Sequence, residues 1–160
     1  MSNPHRTQLG QWLTRLGASQ ASRQLEQGMA LLRPAGHAEP IALIHPEEPG
    51  QRFLLFAPLC GLPAGLGAAT LEKLLAINLE PDCAEAALAL DPQSRTLFLR
   101  GPFSLHGISE ATFHNLLSQF ALKAQSIRER VTQLLRQDGH SPAASPSSPE
   151  TLSWLVNRRA

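Results

Sequence analysis

RFLLFAPLCGLP, residues 52–63, opens the stretch that decides the fold of this 160-residue chain. Its apolar run over residues 52–57 predicts a strand that Pro58 and Gly61 end, and the helical pattern LEKLLAINLEP follows at residues 71–81. Two more apolar runs lie in AALALDPQSRTLFLR, residues 86–100, around a DPQS turn, and this arrangement predicts a hairpin. The stretch therefore reads strand, helix, strand, strand, and no cluster of catalytic residue types interrupts it.

The segments on either side complete the predicted order. A glycine and a proline after residue 100 are expected to end the sheet, and Ser109 is a suitable N-cap for a long helix that continues to about residue 136. Upstream, residues 29–33 and 40–45 are apolar runs between turn-forming segments, which indicates two further strands. A short amphipathic helix ended by Gly17 comes first, because four apolar residues fall at i, i+3, i+4 and i+7: Leu9, Trp12, Leu13 and Leu16. We expect an α+β fold of order α-β-β-β-α-β-β-α, with a twisted antiparallel sheet flanked by helices.

Two helices carry more apolar surface than a simple cover for the sheet requires. Along the last helix a heptad-like stripe is predicted at Phe113, Leu117, Phe120, Ala124, Ile127, Val131 and Leu134. One side of the second helix is lined by Leu71, Leu74, Leu75 and Asn78. These residues could cover the sheet, but the surplus of leucine favours a homodimer.

Composition limits the class of protein. A formal net charge of +1 with scattered basic residues argues against nucleic-acid binding, which depends on concentrated Lys and Arg. No window approaches the roughly 18 apolar residues of a membrane span, and two cysteines are too few for a disulfide framework. A soluble cytoplasmic protein is expected. Its domains are predicted as a folded unit over residues 1–136, a flexible Pro/Ser-rich linker over 137–149, and a short helix or tail over 150–160.

Neither metal nor cofactor binding is indicated by the polar residues. The six histidines show no HxxxH or HxH spacing that would place two of them on one metal ion. Cys60 precedes a predicted helix, where a nucleophilic thiol could benefit from the helix N-terminus, but a small apolar filler is the commoner role. The glycines of GLPAGLG lack the Lys-Ser/Thr of a phosphate-binding loop. An enzyme is therefore not expected, and Cys60-dependent catalysis is retained only as a remote alternative.

The order of elements resembles the class I chaperones of bacterial type III secretion, the Tir chaperone family. The resemblance covers about residues 5–136 and is strongest in LLFAPLCGLP, in LLAINL and in ALALDPQSRTLFLR. It implies a homodimer that binds the N-terminal segment of a secreted effector, keeps the segment extended and delivers it to the secretion apparatus, whose ATPase is a further candidate partner. A regulatory protein of the same fold that sequesters an anti-activator is the alternative function.

The resemblance also suggests where partners bind. The dimer is expected to form through the second helix and the strand after it, which adds Leu88 to Leu71, Leu74, Leu75 and Asn78. For the effector, the expected groove combines the first helix with the last two strands, and its predicted contacts are Leu9, Trp12, Leu13, Leu16, Leu97 and Leu99. The stripe of the first helix could instead be core, and periodicity does not separate the two.

Overall fold

Residues 4–33, 36, 39–44 and 52–143 are described by the structure, a computed structural model. Most of the turns predicted before and after the second strand lie outside these residues. So do residues 144–149 of the predicted linker and the whole of the predicted C-terminal segment 150–160.

A single antiparallel sheet organises the described chain. Its strands are β1 (Met29–Leu32), β2 (Ile41–Ile44), β3 (Arg52–Gly61), β4 (Ala87–Leu90) and β5 (Thr96–Ser104). They are arranged in the order β1-β2-β3-β5-β4, so the long strand β3 is central and β1 and β4 are the outer strands. The predicted α+β class and the antiparallel sheet are confirmed.

The helices are α1 (Pro4–Arg15), α2 (Ser19–Glu26), α3 (Ala68–Ala76) and α4 (Glu110–Gln137). Two 3₁₀ turns, Ile77–Leu79 and Pro81–Cys83, continue from α3 toward β4. The predicted order lacks α2, because this helix has only two buried apolar residues and otherwise polar sequence. Packing against α1 and β1, rather than a visible apolar stripe, accounts for its presence.

Local chemistry places the predicted turn and cap where expected. The Asp91 carboxylate accepts hydrogen bonds from the backbone N–H groups of Gln93 (3.1 Å) and Ser94 (3.0 Å), which closes the β4–β5 hairpin. The Ser109 hydroxyl accepts from the N–H of Thr112 at 3.1 Å and begins α4.

Both long strands continue past the residues expected to end them. β3 continues through Pro58 to Gly61 with a bulge between Pro58 and Cys60, and β5 continues through Gly101 and Pro102 to Ser104. Each proline lies where its strand has lost its second neighbour, so its missing N–H costs no ladder bond. At Gly101 a Cβ would lie 2.6 Å from the Phe103 ring, so glycine here permits close packing rather than ending the strand.

The main core lies between the sheet and the helices. It contains residues from all four α-helices of the described chain and from one face of the sheet. On α4 the buried stripe ends at Leu135, whereas the predicted Leu134 is only half-buried. The reason is that a straight helix repeats every 3.6 residues and drifts away from a heptad pattern over this length.

The opposite face of the sheet forms a second apolar cluster. This second sheet face consists of Met29, Leu31, Ala42, Ile44, Leu54, Phe56 and Phe98, all of them strand residues. The Phe56 and Phe98 rings meet edge to face at 6.3 Å, and the Arg100 guanidinium lies 6.0 Å from the Phe56 ring centre.

Candidate functional site

The apolar stripe of α1 packs into the main core. Leu9 and Leu13 are fully buried, and Trp12 is 6% exposed with its ring 5.3 Å from that of Phe113. Leu16 is half-buried at the edge of this cluster. The first helix is thus fixed to α4 by aromatic and leucine contacts.

Leu97 and Leu99 occupy the same core from the sheet side, and both are buried. Five of the six residues expected to contact an effector are therefore inside the protomer, and only Leu16 keeps appreciable exposed surface. Their role in effector binding stays a prediction.

The exposed leucines of α3 and of the 3₁₀ turn that follows it form the clearest unpartnered apolar surface among the described residues. Leu71, Leu75 and Leu79 follow at intervals of four and are 39%, 65% and 89% exposed. We call these three residues the leucine stripe. Leu74, on the other side of the helix, is 4% exposed and packs in the core. The predicted second-helix leucines thus divide into surface and core.

Asn78 has a structural role that the sequence did not reveal. Its side-chain oxygen accepts a 2.6 Å hydrogen bond from the N–H of Leu88 in the outer strand β4. The Leu88 side chain is half-buried against the core. The Asn78 side chain therefore satisfies the outward-facing N–H of Leu88 at this edge of the sheet. Asn78 directly precedes Leu79 of the leucine stripe.

A second amide side chain has the same role at the opposite edge. The Gln24 side chain of α2 accepts a 3.1 Å hydrogen bond from the N–H of Leu31 in β1. Exposed strand edges are templates for pairing with another chain, and side chains that bind edge donors reduce this tendency. No sequence pattern pointed to Gln24, because its partner is set by the packing of α2.

Cys60 lies in an environment that suits a structural thiol. It is 3% exposed, and burial raises the pKa of its thiol to about 11 against the opposing charge of Arg128. Burial likewise raises the pKa of Cys83. A protonated, buried thiol is a poor nucleophile, because the thiolate is the reactive form.

Arg128 links α4 to the bulge of β3. Its guanidinium donates to the carbonyl oxygens of Pro58 at 2.6 Å and Leu59 at 3.1 Å. Nearby, the carboxylate of Asp138 accepts from Thr70 at 2.8 Å and Lys73 at 2.6 Å. These contacts fix both the bulge and the position of α3 against the end of α4.

In the described residues, no three His, Cys, Asp or Glu side chains are grouped so as to hold a metal ion. None of the described helices combines the length and apolar composition that a bilayer crossing requires.

Solved structures with a similar fold come from complexes of two proteins. The heterodimeric complex ExoU–SpcU from the type III secretion system of Pseudomonas aeruginosa contains a chain with 21% identity and a TM-score of 0.55, over 78% of this chain and 94% of that one. The ExsC–ExsE complex contains one with 18% identity and a TM-score of 0.59, over 77% and 92%. At these identities the likeness is one of fold.

Comparison with family models gives the more specific result. A search of curated proteins finds no significant match. In contrast, the model of the Tir chaperone protein (CesT) family matches residues 9–128, which include the whole sheet, α2 and α3 and most of α1 and α4. The chain belongs to the Tir chaperone protein (CesT) family.

Proposed function

We propose that this protein is a cytoplasmic bacterial chaperone of type III secretion. It binds the N-terminal segment of a secreted effector, holds that segment extended and presents it to the secretion apparatus, with the apparatus ATPase as a further partner. The observation that carries the proposal is the family match over residues 9–128, which spans the folded unit. The similar fold of a protein from the ExoU–SpcU complex of a type III secretion system supports it.

A homodimer is the functional form in this proposal. The leucine stripe supplies its contact surface, because three leucines at 39% to 89% exposure along α3 and the 3₁₀ turn after it form an apolar patch without a described partner. Leu90, which is 42% exposed at the end of β4, would lie toward the same edge of the sheet. A two-fold axis that pairs α3 with its copy would bury each leucine twice.

With the dimer at the β4 end of the sheet, β1 is left for the effector. An extended segment that pairs with a strand edge gains generic affinity from backbone hydrogen bonds and specificity from alternate side chains. At β1 such a segment would replace the Gln24 side chain as acceptor for the Leu31 N–H. The six residues predicted as effector contacts remain part of the proposal, but all except Leu16 are buried, so the core must open before a partner can reach them.

Binding, rather than covalent catalysis, also suits the chemistry of the described residues. The thiol of Cys60, which the remote enzyme hypothesis requires, is buried and has a raised pKa. Partner capture therefore tests the function more directly than a search for turnover.

The experiment is affinity capture of tagged full-length chain from the cytosol of the producing bacterium, followed by mass spectrometry. A secreted effector retained through its N-terminal segment supports the proposal. Retention of a cytosolic anti-activator instead would assign the regulatory alternative, and retention of neither would contradict both.

A matched pair of variants at one position tests the binding edge. Leu31→Pro removes a donor that points away from β2, whereas Leu31→Ala keeps this donor. If the effector adds to β1, Leu31→Pro should reduce capture much more than Leu31→Ala. Equal capture by both variants would exclude strand pairing at β1.

A further inference from the structure

The outer strand β4 lacks the usual protection of a sheet edge. Its sequence, ALAL at residues 87–90, contains neither charge nor proline, and it pairs with β5 in an uninterrupted register without a bulge. All four of its residues are exposed or half-buried, and Leu90 is 42% exposed. Natural proteins protect outer strands with charges, prolines or bulges, because an apolar edge pairs readily with a strand of another chain. Strand β4 therefore depends on another kind of protection.

Asn78 supplies this protection from the 3₁₀ turn after α3. Its side-chain oxygen accepts from the Leu88 N–H at 2.6 Å, so the donor that a pairing strand would bind is occupied. The comparable bond at the other edge, from the Leu31 N–H to the Gln24 side chain, is longer at 3.1 Å. Fixing an asparagine side chain also costs less rotamer entropy than fixing the longer glutamine. The β4 edge is thus closed more firmly than the β1 edge.

The protected edge lies beside the surface that two copies are proposed to share. Asn78 directly precedes Leu79 of the leucine stripe, and its bond to Leu88 holds this turn against β4. A two-fold axis that pairs the leucine stripes would therefore bring both β4 edges close to the contact. Two identical strands can pair antiparallel about such an axis. The strand most accessible to an open β4 edge is consequently the β4 strand of the second copy.

We propose that Asn78 is a positioning residue that closes β4 to the β4 strand of a second copy and leaves the leucine stripe as the contact between copies. Its role in the dimer rests on the proposed function, whereas the closing of the edge is a property of the protomer. Without the Asn78 acceptor, the Leu88 N–H bonds to a carbonyl oxygen of the second copy, and the chains associate edge to edge.

Sedimentation velocity of the full-length chain with Leu75→Asp, which weakens contact through the leucine stripe, tests the proposal. In this background Asn78→Ala should cause association that increases with concentration, relative to the same chain with Asn78. Hydrogen exchange of the Leu88 amide is the second readout. In the Asn78→Ala chain it should be several-fold faster at low concentration and slow again at high concentration, because the strand of the second copy protects it. A loss of stability alone would accelerate exchange at every concentration.

Further variants assign the effect to the acceptor and to β4. Asn78→Asp keeps an acceptor oxygen and should keep Leu88 exchange slow at every concentration. Adding Ala87→Lys, which places a charge on the exposed edge, should suppress the association of the Asn78→Ala chain. Ala111→Lys makes the same change at an exposed site of α4 and should not. Asn78→Leu, which is similar in size and has no acceptor, replaces Asn78→Ala if far-UV circular dichroism shows that the latter does not fold.

Two results would overturn the proposal. One is an Asn78→Ala chain that associates no more than its parent, with Leu88 exchange independent of concentration. The other is equal association of the Asn78→Ala and Asn78→Asp chains. A monomeric wild-type chain would instead contradict the proposed homodimer, and the two failures are distinguishable because the comparison is made without the leucine-stripe contact.

Discussion

Replacing Leu75 by aspartate should dissociate the dimer without unfolding the protomer. The side chain is 65% exposed, so the protomer alone gains little from it. Full burial of a leucine stabilises by about 2 kcal/mol, and the exposed two-thirds would therefore contribute roughly 1.3 kcal/mol. A two-fold interface contains the residue twice, which gives about 3 kcal/mol for the dimer. This amount corresponds to a rise of about 100-fold in the dimer dissociation constant, before the cost of burying the carboxylates is added.

Sedimentation equilibrium over a range of concentrations measures the effect. Leu122→Asp is the matched control, because Leu122 is 53% exposed on α4 and lies outside the leucine stripe. Leu74→Asp should instead unfold the chain, since Leu74 is 4% exposed in the core. A wild-type chain that is monomeric at tens of micromolar, or a Leu75→Asp variant as dimeric as wild type, would refute the reasoning.

Three further predictions concern the protomer. Arg128→Met should lower the unfolding free energy by about 2–3 kcal/mol in urea titrations, because it leaves two carbonyl groups of the β3 bulge without their donor. Arg130→Met breaks partly exposed ion pairs with Glu80 and Asp82 and should cost under about 1 kcal/mol, so equal losses would contradict this ranking. Hydrogen bonds from Lys73, the larger effect, and from Thr70 lower the pKa of Asp138 below its ordinary 3.8. The contribution of this carboxylate to stability is therefore complete above pH 3.8 and is lost as the pH falls through the lower pKa of the folded state. Asp138→Asn should weaken this loss of stability in acid, and an unchanged profile of stability against pH would exclude the contribution. Cys60, with a pKa of about 11, should react with iodoacetamide at neutral pH at least about 10-fold more slowly in the native chain than after unfolding, and rapid native labelling would revive the enzyme hypothesis.

The parts of the fold that follow from local chemistry were predictable. The Asp91 turn and the Ser109 cap depend on side chains that bond to neighbouring backbone groups, so their residue types suffice to place them. The α+β order could be predicted from the lengths of the apolar runs. The helix α2 could not be predicted, because only Ala21 and Leu25 are buried in it and its stability comes from packing.

Periodicity placed residues on a common helix side without showing what that side meets. Leu71 and Leu75 are exposed whereas Leu74 is buried, although all three belong to one predicted set. For α1, periodicity did not reveal the contact with α4 that the Trp12 and Phe113 rings make, and the role of this stripe in effector binding stays a prediction. The hydrogen bonds of Gln24 and Asn78 to strand edges depend on tertiary packing, and no local pattern predicts them.

The central claim is that this protein binds the N-terminal segment of an effector in extended form. Calorimetric titration of the captured partner tests it most directly, using the isolated N-terminal segment and the same partner without that segment. We expect the isolated segment to bind as tightly as the intact partner, with one segment for each dimer, and the truncated partner not to bind. Binding that requires the folded remainder of the partner, or that is retained when the N-terminal segment is removed, would contradict the account.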